Sequence, residues 1–222
     1  MGYQVNDRRP IRSRKLGVFK TAATTLANAG VSANAISIFG MVAACAAGGL
    51  LATTVHVETV WQRACFCGAA LLVQARLLSN LLDGMVAVES GTASATGELY
   101  NEVPDRVSDT AVLVGFGYAA GALWLGALAA LAAISTAYIR ALGKAAGLPS
   151  DFRGPMAKQQ RMFLVTLVAL SAVVAPGFVG AYALAWWVCL LIAVASAATS
   201  VRRLAGIAKG LQAMAASEAS DD

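Results

Sequence analysis

The sequence predicts an all-α membrane protein with six transmembrane helices and an N-terminal amphipathic helix on the cytoplasmic side. The first observation is composition: 58% of the 222 residues are hydrophobic and only 13% are charged, whereas a soluble domain carries about a quarter charged residues. The second is length, because the chain from Ala33 to Leu204 divides into six apolar stretches near the ~20 residues that a spanning helix needs. The third is that Lys and Arg are concentrated at alternate breaks between these apolar stretches.

The first 30 residues are predicted to form a basic segment beside the membrane. Residues Arg8 to Gly30 combine cations with apolar side chains such as Leu16 and Phe19, which suits a helix lying on the anionic cytoplasmic leaflet. A disordered basic leader is the alternative. Met1 to Lys20 is too basic and too poor in apolar residues to be the hydrophobic region of a secretory signal. We therefore expect it to belong to the mature chain.

A six-helix membrane domain is predicted over residues 31–205, followed by a cytoplasmic C-terminal tail over residues 206–222. The predicted spans cover residues 35–52, 64–88, 99–119, 123–145, 163–175 with some extension, and 182–200. Small residues are frequent throughout, as expected where helices approach closely in lipid. These small-residue faces would also allow a homodimer.

The charge distribution indicates topology and does not indicate nucleic-acid binding. Lys and Arg are concentrated before the first predicted span, around the break after the fourth and after the sixth, and the other three breaks contain none, although Arg63 borders the first of them. By the positive-inside rule, both termini face the cytoplasm. The formal charge is +5, but no basic stripe with interleaved aromatic residues is present, as a nucleic-acid groove would need.

Acidic residues are concentrated in one polar window, from Asn80 to Asp109. Half of the chain's twelve acidic residues lie there: Asp83, Glu89, Glu98, Glu102, Asp105 and Asp109. Charged residues within membrane spans are costly, so they usually face a bundle interior or an aqueous cavity and have a function. The alternative is a cytoplasmic loop with a solvated acidic face.

Helical spacing favours a site over a loop. Two sets recur at helical intervals: Asn80, Asp83 and Ala87 on one helix, and Gly97, Asn101, Asp105 and Asp109 on the next. Each set lies along one helical face, and the short link Ser90 to Thr96 requires the two helices to be antiparallel. Their faces can then meet, offering Asn80, Asp83, Asn101 and Asp105 as hard oxygen ligands for a divalent cation such as magnesium or calcium.

These residues resemble the signature of the CDP-alcohol phosphotransferases, which reads Asp-x-x-Asp-Gly-x-x-Ala-Arg, eight residues, then Gly-x-x-x-Asp-x-x-x-Asp. Every spacing is kept, and the matching positions are Asn80, Asp83, Gly84, Ala87, Val88, Gly97, Asn101 and Asp105. The resemblance implies six spans, an active site facing the cytoplasm between the second and third helices, and two Mg²⁺ or Mn²⁺ ions held at Asn80, Asp83, Asn101 and Asp105. It also implies a bacterial inner-membrane protein, because divergent bacterial members have a similar pattern.

The resemblance also implies a reaction. In the family, the ions hold the pyrophosphate of a CDP-linked lipid while the last aspartate, here Asp105, takes a proton from a hydroxyl acceptor. The alcohol then attacks the lipid-side phosphorus, and CMP leaves. Backbone at Gly84 and Gly97 would approach the nucleotide closely, together with Ala87. A further likeness, Gly30-Val31-Ser32-Ala33-Asn34, is similar to a Thr-Pro-Asn turn of the family and adds Asn34 to the expected nucleotide site.

The sequence departs from the signature at three positions. Asn80 and Asn101 stand where the family has aspartate, and Val88 stands where it has arginine. The four ligand positions therefore carry two formal negative charges, and amide oxygens hold magnesium more weakly than carboxylates do. The neighbouring Glu98, Glu102 and Asp109 could restore negative charge, and Arg76, two turns before Asp83, could replace the missing guanidinium.

Three cations after the fourth predicted span are candidates for phosphate binding. Arg153, Lys158 and Arg161 lie beside Gly154-Pro155, on the same side of the membrane as the acidic window by topology. They could hold a phosphate of the acceptor or a lipid headgroup, or they could serve only as positive-inside anchors.

Three functions are compatible with the sequence. The first is a phosphatidyltransferase that uses CDP-diacylglycerol and a hydroxyl acceptor in phospholipid biosynthesis. The second is a non-catalytic relative that binds lipid or nucleotide, suggested by the three departures from the signature. The third is a small transporter in which Asp83, Glu102, Asp105 and Asp109 form a proton or cation path. The acceptor could be glycerol phosphate, serine, inositol phosphate or another phospholipid, and the sequence does not choose among them.

Overall fold

The computed structural model describes residues 17–91, 97–174 and 180–221, which form seven α-helices and one turn of 3-10 helix. The helices are α1 (Gly17–Asn28), α2 (Ala33–Thr53), α3 (Thr59–Glu89), α4 (Gly97–Ala119), α5 (Leu123–Ala145), α6 (Lys158–Val174) and α7 (Gly180–Asp221). The 3-10 turn, Thr54–His56, follows α2. Within the described ranges no residue is in a β-strand, so the predicted all-α class is confirmed.

Among the described residues, four helical segments are long and apolar enough to cross a membrane. They are Ala33–His56, Thr59–Glu89, Leu123–Ala145 and Tyr182–Ser217. Helix α4 is not among them because it carries the charged residues of the polar window, and the described part of α6 has only 17 residues. The structure thus supports a helical membrane protein with four clear candidate spans.

The helices at the two ends of the chain differ from the sequence prediction. Helix α1 covers the second half of the predicted amphipathic segment, and residues 8–16 of that segment lie outside the described residues. Helix α7 has 42 residues and does not end near Ser200. At 1.5 Å per residue it is about 60 Å long, roughly twice the hydrocarbon thickness of a bilayer. The predicted C-terminal tail is therefore a continuation of the last helix as far as Asp221.

Helix α2 packs between α3 and α4 over most of their lengths, while α5 packs against α4 and α7, and α6 against α3. The sequence predicts that α3 and α4 form one antiparallel pair with facing polar sides. The structure shows that they meet directly only over a short region, because α2 separates them elsewhere. Ser32 caps α2, its Oγ accepting from the backbone N–H of Ala35 at 3.2 Å.

Close helix packing in the apolar half of the bundle depends on glycine. At Gly48 of α2, an added Cβ would collide with the backbone of Ala111 in α4, and one at Gly115 would collide with Gly48. Gly117 of α4 approaches Gly126 of α5 in the same way. Helices in lipid gain stability from van der Waals contact at such small-residue faces. The core beside them contains the fully buried side chains Leu51, Val73, Leu113, Phe116, Leu125 and Ile192.

Large apolar side chains also cover the outside of the bundle. Phe39, Trp61, Trp124, Leu131 and Trp187 are each at least 60% exposed. In water such a surface would aggregate, whereas in a bilayer it contacts lipid chains. The exposed apolar surface therefore agrees with the membrane assignment that composition predicts.

Candidate active site

A polar cavity lies where the first half of α2, the second half of α3 and the first half of α4 converge. Its lining residues are Ser37, Gly40, Met41, Arg76, Ser79, Asn80, Asp83, Asn101, Pro104, Asp105 and Ser108. The contacts between α3 and α4 run in opposite directions along the two helices: Asn80 contacts Asn101 and Asp105, and Arg76 contacts Asp105 and Asp109. The four signature positions thus line one cavity between antiparallel helices, and their role as metal ligands stays a prediction.

Asp83 is buried in the cavity wall and is oriented by two neutral donors. Ser37 Oγ donates to Asp83 Oδ2 at 2.8 Å, and the backbone N–H of Gly84 donates to Asp83 Oδ1 at 2.5 Å. A carboxylate oxygen can accept more than one hydrogen bond, so Asp83 retains acceptor capacity. The sequence did not identify Ser37 as its partner, because nothing in the spacing within α2 marks that residue.

Asp105 lines the cavity beside Asn80 and Asn101, and Lys158 contacts it from α6. The Asn80 amide donates to Asn101 Oδ1 and to Asp105 Oδ1, both at 3.2 Å. From the first turn of α6, Lys158 Nζ donates to Asn80 Oδ1 at 2.6 Å and also forms an ion pair with Asp105 Oδ2. The ammonium group of Lys158 thus lies among the atoms that the sequence predicts as metal ligands.

A buried ion chain runs beneath the cavity, and it involves two predicted residues, Arg76 and Asp109. Arg76 Nη2 donates to Asp105 Oδ1 at 3.1 Å and to Asp109 Oδ1 at 2.9 Å. Arg161 of α6 donates to Asp109 Oδ2 at 2.8 Å. Arg76 and Asp109 are each 1% exposed and Arg161 is 2% exposed. The charge of Asp109 is therefore compensated by two guanidinium groups, and Asp109 does not add free negative charge to the cavity.

Glu102 faces away from the cavity, toward other cations. It accepts from Arg140 of α5 at 2.6 Å and forms an ion pair with Arg106 one turn later on α4. The Arg140 guanidinium also lies 5.5 Å from the centroid of the Phe152 ring. Of the other predicted sources of compensating charge, Glu98 has a side chain outside the described residues.

The loop before α6 is anchored to α7. This anchoring positions the first turn of α6, which carries Lys158 and Arg161. Arg203 of α7 donates from Nε to the carbonyl of Arg153 at 3.1 Å and from Nη1 to the carbonyl of Thr136 at 2.7 Å. The backbone N–H of Met156 donates to Thr199 Oγ1 at 3.2 Å. Because of these contacts, the first turn of α6 enters the bundle beside α3 and α4.

The three cations predicted to bind phosphate are not gathered into one cluster. Arg153 is exposed and donates to Asp151 at 3.0 and 3.1 Å, and this hydrogen bond holds the pKa of Asp151 below its usual value. Arg161 is buried against Asp109, and Lys158 lies against Asp105. Their role in binding the acceptor stays a prediction.

The four residues predicted for the nucleotide flank the cavity but do not line it. Asn34 is in the first turn of α2, Gly84 and Ala87 follow Asp83 on α3, and Gly97 begins α4. Each of these four residues is half-buried. The bond between Ser37 and Asp83 brings the start of α2 and the end of α3 to the same end of the bundle, so the structure leaves this prediction open.

The donor set fits a divalent cation only in part. No group of three or more His, Cys, Asp or Glu side chains within the described ranges is placed to hold a metal ion. The reason is that two signature positions are Asn80 and Asn101, while Asp109 is held by arginines. What remains is two carboxylates, Asp83 and Asp105, with two amide oxygens. An oxygen-only set of this kind suits a hard cation such as Mg²⁺ or Mn²⁺.

Comparison with known proteins supports the fold assignment. No family model and no curated protein matches the sequence. Three solved structures of Mycobacterium tuberculosis phosphatidylinositol phosphate synthase (PgsA1) are similar in fold. The complex with manganese and citrate is 24% identical with a TM-score of 0.69, covering 85% of this chain and 88% of that one.

The structure with CDP-DAG bound is 24% identical with a TM-score of 0.68, covering 86% of this chain and 94% of that one. The apo form is 26% identical with a TM-score of 0.63, covering 83% and 93% of the two chains. The chain therefore has the fold of the CDP-alcohol phosphotransferases, the family that its polar window resembles.

Proposed function

We propose that this chain is a divalent-metal-dependent CDP-alcohol phosphatidyltransferase of phospholipid biosynthesis. It would transfer the phosphatidyl group from CDP-diacylglycerol to a hydroxyl acceptor and release CMP. The observation that carries the proposal is the convergence of Asn80, Asp83, Asn101 and Asp105 on one cavity, in a fold shared with a protein crystallised with manganese and with CDP-DAG. Six spans, with α4 and α6 crossing the membrane beside the four candidate spans, and a cytoplasmic cavity complete the proposal.

The residues of the cavity have distinct roles in this reaction. A bound Mg²⁺ or Mn²⁺ would neutralise phosphate oxygens and stabilise the departing CMP. Asp83, fixed by Ser37 and Gly84, would hold the metal with the amide oxygens. Asp105 would accept the proton from the acceptor hydroxyl, as a carboxylate within hydrogen-bond reach of that group can do. Its contact with Lys158 would have to open for that step.

A second candidate is a relative that binds CDP-lipid without turnover. The observation in its favour is that Asp105 is engaged by both Arg76 and Lys158. Both of its oxygens are then occupied by cations and are less available to contact an acceptor hydroxyl. In this case the chain would retain ligand binding but would not release CMP.

CMP release tests the two candidates directly. Purified protein in lipid nanodiscs would be given CDP-diacylglycerol, Mg²⁺ or Mn²⁺ and, in separate reactions, inositol phosphate, glycerol phosphate, serine or a phospholipid. We expect CMP release with one of these acceptors, its loss on chelation by EDTA and its recovery when metal is restored. CDP-lipid binding without CMP release from any acceptor would favour the non-catalytic relative.

A further inference from the structure

The cavity's charges are already nearly balanced by the protein itself. Three carboxylates lie in or just beneath the cavity, and three cations form ion pairs with two of them. The carboxylates are Asp83, Asp105 and Asp109, and the cations are Arg76, Lys158 and Arg161. A pair of divalent ions would add four positive charges to this neutral set. Buried charge without compensation is strongly unfavourable, so these residues accommodate fewer cations than a site built from four aspartates.

Lys158 competes for one half of the ligand set. Its Nζ lies 2.6 Å from Asn80 Oδ1 and is ion-paired with Asp105 Oδ2. An ammonium group donates to the same oxygen atoms that a divalent cation would coordinate. With Asn in place of a carboxylate at position 80, this half of the cavity offers one negative charge, which suits a monovalent ammonium better than a divalent ion.

Asp83 provides the other half, and its surroundings are different. Its two hydrogen-bond donors, the Ser37 hydroxyl and the Gly84 N–H, are both neutral. Among the three carboxylates, it is the one without an ion pair in the described structure. Its remaining lone pairs and uncompensated charge make it the best anchor for a cation.

We propose that the site takes one divalent cation, anchored by Asp83, and that the Lys158 ammonium supplies the second positive charge between Asn80 and Asp105. The proposal rests on the transferase function proposed above and specifies how its metal centre is built. The ammonium is fixed to the protein, whereas a second metal ion would exchange with solvent.

Manganese stoichiometry tests this inference. Binding would be measured in nanodiscs of zwitterionic lipid with saturating CDP, from the electron paramagnetic resonance signal of free Mn²⁺. We expect one Mn²⁺ per chain in the wild type, without the coupled spectrum of two ions ~3.5 to 4 Å apart. The double variant N80D/K158M restores a carboxylate and removes the ammonium, so it should bind two. The single variant K158M adds no carboxylate and should still bind one.

Each outcome separates the inference from the proposed function. Two ions in the wild type, or one ion in N80D/K158M, would overturn the inference, and metal-dependent CMP release would then leave the transferase proposal standing. A wild type that binds no Mn²⁺ and releases no CMP would remove both. D83N should weaken Mn²⁺ binding at least 10-fold, and equal affinity in D83N would show that the ion is not anchored there.

Discussion

The two halves of α4 differ in almost every physical property. The first half, up to Asp109, contains all the charges of the helix, and it includes Pro104, which cannot donate the hydrogen bond of a regular helix. The second half, from Ala111 to Ala119, has no charged residue and contacts its neighbours through Gly115 and Gly117. The first half contacts its neighbours mainly through ion pairs, and the second half contacts them through closely approaching helix backbones.

This difference separates function from assembly along a single helix. A charge pair fixes particular atoms against one another, which a reaction centre needs, but burying it contributes little net stability. Small-residue packing stabilises the bundle but offers no chemical group. We therefore expect substitutions in the first half to affect chemistry or local electrostatics, and those in the second half to affect stability.

The largest effect is expected at the proposed metal anchor. Asp83→Asn keeps the shape of the side chain but removes its charge, so CMP release should fall roughly 100-fold or more, since even indirect supports of a metal can be worth 10- to 100-fold. Glu89→Gln is the matched control, because Glu89 is on the same helix but is exposed and contacts Thr24. Initial rates at saturating Mn²⁺ would be compared, and similar losses in both variants would contradict the assignment.

The next largest effect is expected at the buried ion chain. Asp109→Asn would leave Arg76 and Arg161 buried without a counter-charge, and breaking such a pair costs about 3 to 5 kcal/mol. The free energy of unfolding in detergent with increasing denaturant measures this cost. The replacement of Asp109 by Leu together with Arg161→Met should recover part of the loss. An unfolding free energy of Asp109→Asn equal to that of the wild type would show that water reaches the buried ion chain despite its low exposure.

A smaller loss is expected in the apolar half of α4. Gly115→Ala places a Cβ against the backbone of Gly48, and overpacking of this kind costs about 1 to 3 kcal/mol. Gly49→Ala is the control, because it lies in the adjoining helix with no atom within 4 Å of the added Cβ. The thermal unfolding midpoints of both variants would separate the cost of the new steric contact from the effect of replacing a helical glycine. An equal shift in both would contradict the packing account.

The smallest effect is expected at Glu102, which carries the same charge as Asp109 and lies on the same helix but is more exposed. Its side chain is 35% exposed and contacts Arg106 and Arg140, and partly exposed ion pairs contribute less than about 1 kcal/mol. Glu102→Gln should therefore change the unfolding free energy by less than that amount. A loss as large as that of Asp109→Asn would show that burial does not determine the cost.

The sequence predicted more of the site than of the helix arrangement. Spacing within a helix places residues on one face, so the meeting of Asn80, Asp83, Asn101 and Asp105 could be predicted. Spacing does not say which helix lies between two others, and the position of α2 between α3 and α4 was therefore missed. The contact of Lys158 with Asp105 was missed for the same reason, since it joins residues far apart in the chain.

The end of α7 could not be predicted from hydrophobicity. The apolar run ends near Ser200, but residues after it, including Ala205, Leu211 and Ala215, are compatible with a helix, and Ala and Leu have high helix propensity. A change in polarity marks the end of a membrane span but not the end of a helix.

CMP release by Asp105→Asn is the most direct test of the central claim that the charged half of α4 performs the chemistry. Removing a general base typically slows a reaction by about 100- to 10,000-fold, so we predict loss of metal-dependent CMP release from protein that remains folded and binds CDP-diacylglycerol. Release at the wild-type rate from folded Asp105→Asn would contradict the account.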